Sequence, residues 1–134
     1  MWKRWLIWSI AVIVVAIAAI AIRSHVGKRR REVTYQSVLA KYSRDLKPGM
    51  TRSEVERYLR SRNLHFSQSF SSFGHRRERD ETDLVKIGQE APPWYCSEAY
   101  VYVAFEFSGT GELKMSDTDP LERIELNQPY EGCL

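Results

Sequence analysis

The stretch at residues 46–66, LKPGMTRSEVERYLRSRNLHF, decides the fold of this 134-residue chain because it marks where one helix ends and the next begins. Pro48 and Gly49 end the preceding helix. Thr51 and Glu54 then fit a capping box, in which each side chain bonds the backbone N–H of the other residue. The predicted helix-cap motif comprises Gly49, Met50, Thr51, Glu54 and Val55, with Met50 and Val55 at the positions of a hydrophobic staple.

Two helices are predicted around this motif. Residues 32–47 predict an amphipathic helix because their apolar side chains recur at the helical period. The second helix begins at Thr51 and ends near Asn63, a residue type that adopts the left-handed conformation after a helix. An active-site loop is the alternative interpretation of the cap motif, but every residue of the motif has a structural task. The apolar stripe of the first helix consists of Tyr35, Val38, Leu39, Tyr42 and Leu46.

Strand patterns follow the second helix. Residues 99–107, AYVYVAFEF, alternate most clearly between two faces. Shorter strands are predicted at residues 64–70, 83–88 and 121–128. Between the first two of these, the polar residues 71–82 predict a long hairpin loop. Helices followed by antiparallel strands indicate an α+β domain with its helices on one face of the sheet.

The N-terminal part of the chain is apolar. Residues 5–22, WLIWSIAVIVVAIAAIAI, contain Ser9 as their only polar residue. As a helix they would be about 27 Å long, close to the thickness of a hydrocarbon core. A cleaved signal peptide is the alternative. We therefore expect a transmembrane signal-anchor at residues 1–22, a basic juxtamembrane linker at 23–31 and an α+β domain at 32–134. The predicted fold is an N-terminal transmembrane helix, then two helices packed on a three- or four-stranded antiparallel sheet.

Charge is divided unevenly between these parts. Residues 1–31 hold seven Lys/Arg and no acid, a charge of +7, whereas residues 32–134 hold 13 Lys/Arg and 17 Asp/Glu, a charge of −4. An acidic domain without a basic stripe is a poor nucleic-acid binder, so no nucleic-acid partner is expected. Four residues that suit lipid headgroups form the basic flank: Lys28, Arg29, Arg30 and Arg31.

The two cysteines, Cys96 and Cys133, suit one disulfide in an oxidising compartment. Two unrelated thiols are the alternative. The positive-inside rule favours a cytoplasmic domain and the cysteines favour the opposite side, so orientation stays open. We expect a single-pass membrane protein whose domain lies outside the cytoplasm, on the periplasmic side.

The cap motif also suggests a family. LKPGMTRSEVERYL resembles the GMT-x-x-x-V-x-x-L signature of BamE/SmpA-like domains, the small α+β domains of outer-membrane assembly lipoproteins. The predicted order of two helices and then strands matches as well. The family's lipoprotein cysteine is absent from this sequence. The resemblance implies a non-enzymatic, envelope-facing protein-binding domain in a membrane-anchored bacterial relative. The matching residues are Gly49, Met50, Thr51, Val55 and Leu59.

Residues with catalytic potential are few, and no catalytic or metal site is predicted. A Cys–His dyad would need Cys96 beside His65 or His75, and no spacing supports that arrangement. Residues 75–83, HRRERDETD, could in principle hold a metal ion, but their mixed charges favour a solvated loop. No nucleotide-binding motif is present. We therefore expect no enzyme activity, no cofactor and no small-molecule substrate.

Aromatic residues predict a partner surface instead. Trp94, Tyr95, Tyr100 and Tyr102 lie in and after an irregular, proline-containing segment, where aromatic side chains often anchor interfaces. For Trp94 itself, packing in the core is the interpretation that the sequence favours over a surface position. The predicted function is a small protein-binding or scaffold domain in the bacterial cell envelope, with membrane lipid and another envelope protein as partners. A tethered or secreted protein inhibitor of an enzyme is the alternative function.

Overall fold

The computed structural model describes residues 2–71, 80–109 and 115–134. Their contacts divide the chain into two units, Met1–Gln36 and Ser37–Leu134. The elements in chain order are the helices α1 (Trp2–Asp45) and α2 (Arg52–Ser61), followed by the strands β1 (Ser67–Ser71), β2 (Asp80–Glu90), β3 (Glu98–Phe107), β4 (Leu121–Asn127) and β5 (Tyr130–Glu131).

The five strands form one antiparallel sheet in the order β1-β2-β3-β4, with β5 also paired to β3. Strands β4 and β5 pair with different parts of β3: Phe105 lies opposite Ile124, and Ala99 lies opposite Tyr130. The α+β class is therefore correct. Strand β3 is central to the sheet because it pairs with β2, β4 and β5.

The core of the second unit lies between the helices and one face of the sheet. Val103, Phe105 and Phe107 alternate along β3 and are almost completely buried, as the sequence predicts. The Tyr42 ring of α1 packs edge-to-face against Phe105, with centroids 5.5 Å apart. The other buried members of this cluster are Leu46, Val55, Leu59, Val85 and Leu121.

The predicted capping box at the start of α2 is formed. The Glu54 carboxylate accepts a hydrogen bond from the Thr51 backbone N–H at 2.8 Å. This bond is the main reason that the pKa of Glu54 is lowered. At the other end of α2, Asn63 has a φ of 56°, and the Leu64 N–H donates to the Leu59 carbonyl at 3.1 Å. The helix therefore ends in the predicted left-handed cap.

The cap motif also fastens α2 to a distant part of the chain. The Gly49 N–H donates to the Leu121 carbonyl at 2.8 Å, and the Leu121 N–H donates to the Met50 carbonyl at 2.7 Å. The Arg52 N–H donates to the Asp119 carbonyl at 2.9 Å. Gly49 has a φ of 91°, which residues with a Cβ adopt only with strain. The helix α1 has already ended at Asp45, and the glycine forms the following turn, which lets the chain reach β4.

The prediction of a separate transmembrane helix is wrong. Within the part of the chain that the structure describes, no helix is both long and apolar enough to cross a membrane. The predicted span falls partly on residues 1–7 and 9–11, whose side chains lie outside the described residues. The described apolar run, residues 12–22, is only about 16 Å long as a helix before Arg23 follows.

Helix and strand numbers also differ from the prediction. One helix, α1, replaces three predicted segments, because residues 23–31 are helical and Gly27 does not interrupt them. A single glycine costs a helix only about 1 kcal/mol relative to alanine, which is too little to break it. The sheet has five strands because the tail adds β5, and β2 begins at Asp80, inside the predicted loop. Residues 72–79 of that loop lie outside the described residues.

Candidate functional site

The loop that joins β2 to β3 presents two aromatic rings to solvent. Trp94 is 90% exposed and Tyr95 is 45% exposed. Their rings form an edge-to-face pair with centroids 5.7 Å apart. The Cys96 N–H donates to the Pro93 carbonyl at 2.9 Å, which closes a turn around both rings. The structure therefore does not place Trp94 in the core, the position that the sequence favours.

The predicted disulfide between Cys96 and Cys133 is formed and fixes this loop to the C-terminal tail. The Leu134 N–H also donates to the Tyr95 carbonyl at 2.9 Å. Covalent and hydrogen bonds thus hold the backbone directly beside Trp94. An exposed ring on a fixed loop loses little conformational freedom when a partner covers it, which favours binding.

The tail passes so close to the loop that one position requires glycine. Gly132 has a φ of 60°, and a Cβ on it would lie 2.1 Å from Ser97 Oγ. The Ser97 N–H donates to the Glu131 carbonyl at 3.0 Å in the same place. The tail is therefore packed against the start of β3.

Tyr100 and Tyr102 lie on the outer face of β3, opposite the core, because they alternate with the buried residues Val101 and Val103. Their rings form a second edge-to-face pair, with centroids 6.1 Å apart. The Lys86 Nζ atom lies 3.5 Å from the centroid of the Tyr100 ring, a cation–π contact from the neighbouring strand. The four predicted surface residues thus form two ring pairs, one on the loop and one on the sheet.

Two carboxylates accompany the ring pair of the sheet. Glu98 accepts a hydrogen bond from the Tyr100 hydroxyl. Glu131 of β5 lies directly opposite Glu98 in the strand register, so both side chains share the outer face. Burial raises the pKa of Tyr102, and the charges of Glu131 and Glu98 add to this rise. The outer face is therefore aromatic and acidic at this end of the sheet.

The other residues considered for chemistry are not brought together. Cys96 is disulfide-bonded and cannot act as the nucleophile of a Cys–His dyad. His65 is exposed, and His75 lies outside the described residues. Among the residues that the structure describes, no three His, Cys, Asp or Glu side chains are placed to hold a metal ion.

The basic flank lies on α1 in the first unit. Lys28, Arg29, Arg30 and Arg31 are all helical and exposed. Arg29 and Arg30 line a shallow concavity on this helix, together with His25, Val26, Val33 and Thr34. The binding of lipid headgroups by the flank stays a prediction.

A buried ion network between α2 and β2 was not predicted from the sequence. Arg52 is 1% exposed, and its guanidinium donates to Glu81 at 2.8 Å and to Asp83 at 3.2 Å. The Arg52 guanidinium carbon lies 4.4 Å from the centroid of the Phe107 ring. One signal was available, because Arg52 falls on the same helical face as Val55 and Leu59. A polar residue on an apolar face would need buried partners.

Burial dominates the titration of both carboxylates in this network. It raises the pKa of Asp83 to about 6, against the opposing charge of Arg52. It also raises the pKa of Glu81, where Arg52 again opposes and Asp119 reinforces the shift. Two buried acids share one guanidinium, so each is protonated more readily than a carboxyl group in water.

Lowering the pH from 7.5 to 5 should therefore stabilise the domain by about 1 kcal/mol through Asp83. The folded protein binds a proton that the unfolded chain, with a carboxyl pKa of about 3.9, does not bind. This stabilisation is complete below about pH 3.9 and is lost as the pH rises through about 6. Urea unfolding at both pH values measures it. Asp83→Asn should remove the share that belongs to Asp83, and Glu81→Gln/Asp83→Asn should remove most of the difference. Lower stability at pH 5 would contradict the assignment.

Comparisons with protein-family models, curated proteins and solved structures complete the description. None of them gave a match. The resemblance of the cap motif to BamE/SmpA-like domains therefore stays a prediction based on a few residues.

Proposed function

We propose that residues 37–134 form a small, non-enzymatic protein-binding domain whose contact surface includes the Trp94 loop. The observation that carries this proposal is a tryptophan 90% exposed on a loop that a disulfide holds in place. Exposure of a large aromatic ring is unfavourable in water, and tryptophan is enriched among residues that dominate binding energy. The predicted resemblance to an envelope protein-binding family agrees with this function.

The disulfide also supports a location for the domain. Disulfides persist in oxidising compartments and are rare in the cytosol of most organisms. We therefore propose that this domain works outside the cytoplasm. A partner there would be another extracytoplasmic protein.

Trp94→Ala should strongly weaken partner binding and leave the fold intact. Because the ring is 90% exposed, we expect the free energy of unfolding to change by less than about 0.5 kcal/mol. A photo-crosslinking derivative of phenylalanine at position 94, which keeps an aromatic ring there, identifies the partner in cells. Affinity for that partner, measured with purified proteins, should fall at least about 30-fold in Trp94→Ala.

Two controls test whether the partner binds specifically at the Trp94 loop. The same crosslinker at Glu122, an exposed residue of β4, should give no product. Trp94→Phe should retain more affinity than Trp94→Ala, since an aromatic ring remains. The proposal is wrong if position 94 gives no product above the Glu122 control, or if Trp94→Ala binds the partner as tightly as the wild type.

A further inference from the structure

Two carboxylates on the outer face of the sheet form no ion pair with the described basic side chains. Glu98 and Glu131 are opposite one another on adjacent strands, an arrangement that destabilises a sheet when the charges are alike. In the described part of the chain, neither forms an ion pair with a basic side chain. The folded domain therefore keeps a local negative charge at the end of β3 nearest the Trp94 loop.

The aromatic rings beside these carboxylates are arranged to accept a cation. Lys86 already places its ammonium group 3.5 Å from the centroid of the Tyr100 ring. The Tyr102 ring is the other member of this pair and contacts no described cation. A tyrosine face flanked by carboxylates attracts guanidinium and ammonium groups by both cation–π and ionic forces.

The surrounding sequence reinforces this charge. Residues 86–134 contain nine Asp/Glu and three Lys/Arg, a net charge of −6. Of the three basic residues, Lys86 lies against the Tyr100 ring, Arg123 is paired with Glu106 and Glu125, and Lys114 lies outside the described residues. A field of one sign steers an oppositely charged partner toward the surface and speeds association.

We propose that Glu98, Tyr100, Tyr102 and Glu131 form a docking surface for an arginine- or lysine-rich segment of the partner protein. The inference rests on the proposed function, because it names the chemistry of the partner that this domain binds. A basic side chain of the partner lies against the Tyr102 ring and pairs with the two carboxylates. Trp94 supplies the apolar contact on the loop, and the carboxylates select for positive charge.

Fluorescently labelled hexa-arginine is the probe, titrated with the full-length protein at low salt. We expect Glu98→Gln/Glu131→Gln to weaken binding about tenfold, since it removes both carboxylates and keeps the size of each side chain. The control Asp117→Asn/Glu122→Gln removes the same net charge from exposed residues elsewhere and should weaken binding less than twofold. Tyr102→Leu should weaken binding about threefold through loss of the cation–π contact.

The proposal is overturned if both double variants weaken binding equally, which would indicate only a general charge effect, or if the wild type does not bind hexa-arginine. These outcomes are distinct from failure of the proposed function. If Trp94→Ala loses the crosslinked partner while Glu98→Gln/Glu131→Gln retains it, the loop binds protein and the cationic site is wrong. If position 94 yields no crosslink but the hexa-arginine results hold, the cationic site stands without the proposed function of the loop.

Discussion

Replacing Arg52 by methionine should lower the free energy of unfolding by about 3–5 kcal/mol at pH 7.5. Methionine fills much of the space but leaves Glu81 and Asp83 buried without their cation. Two carboxylates in an apolar core repel each other and have lost their hydration, so the folded state is strongly penalised. Urea unfolding of the full chain measures the effect.

A matched control tests whether burial is the cause. Arg60 is 70% exposed and pairs with Glu56 one turn away on the same helix, so Arg60→Met should cost less than about 0.5 kcal/mol. In a Glu81→Gln/Asp83→Asn background, Arg52→Met should cost less than about 2 kcal/mol, because no charge is left uncompensated. If Arg52→Met and Arg60→Met had equal effects, the ion network would not contribute to stability.

Reduction of the disulfide should lower the free energy of unfolding by about 3–4 kcal/mol. Cys96 and Cys133 are 37 positions apart, and opening a loop of that length increases the conformational entropy of the unfolded chain. Unfolding midpoints with and without a reductant measure the loss. The Cys96→Ser/Cys133→Ser protein should be as unstable as the reduced wild type and insensitive to reductant.

The same bond can be checked in cells. Protein extracted without reductant should resist alkylation at both cysteines until it is reduced. Ready alkylation of both thiols, or a stability loss below about 1 kcal/mol on reduction, would contradict the role assigned to this bond. Only the first of these results would also count against a location outside the cytoplasm.

The features that the sequence predicts well are those set by neighbours in the chain. The capping box at Thr51 and Glu54 involves residues three apart, and the left-handed cap at Asn63 depends on its own backbone preference. The alternation along β3 likewise predicts burial of Val103, Phe105 and Phe107, although Ala104 and Glu106 on the opposite face are buried as well. Local physics decides these features, so local patterns are sufficient to find them.

The features that were missed depend on distant partners. Arg52 looks like a surface residue of a helix until β2 places two acids beside it. Strand β5 has only two residues and forms by pairing with β3, close to the disulfide that joins the C-terminal tail to Cys96. The continuity of α1 was missed because a basic segment with one glycine suggests a linker but does not stop a helix.

The candidate surface was predicted in composition but not in arrangement. The sequence could group Trp94, Tyr95, Tyr100 and Tyr102 as neighbours, yet only the register shows that Glu131 joins the two tyrosines of the sheet. The sequence also did not decide whether Trp94 is buried or exposed, because an aromatic ring beside two prolines suits a core or a surface. Charge and pairing across strands are non-local properties, which a single sequence does not reveal.

The hydrogen bonds between the cap motif and the segment before β4 have a consequence for how the chain acquires its structure. The N–H groups of Gly49 and Arg52 are satisfied by carbonyls roughly 70 residues later in the chain. A ribosome makes those carbonyls well after the N–H groups that they bond, so the start of α2 cannot be completed until that later segment has been made. Folding of this domain is therefore delayed until Asp119 and Leu121 have left the ribosome, although α2 itself is a local element.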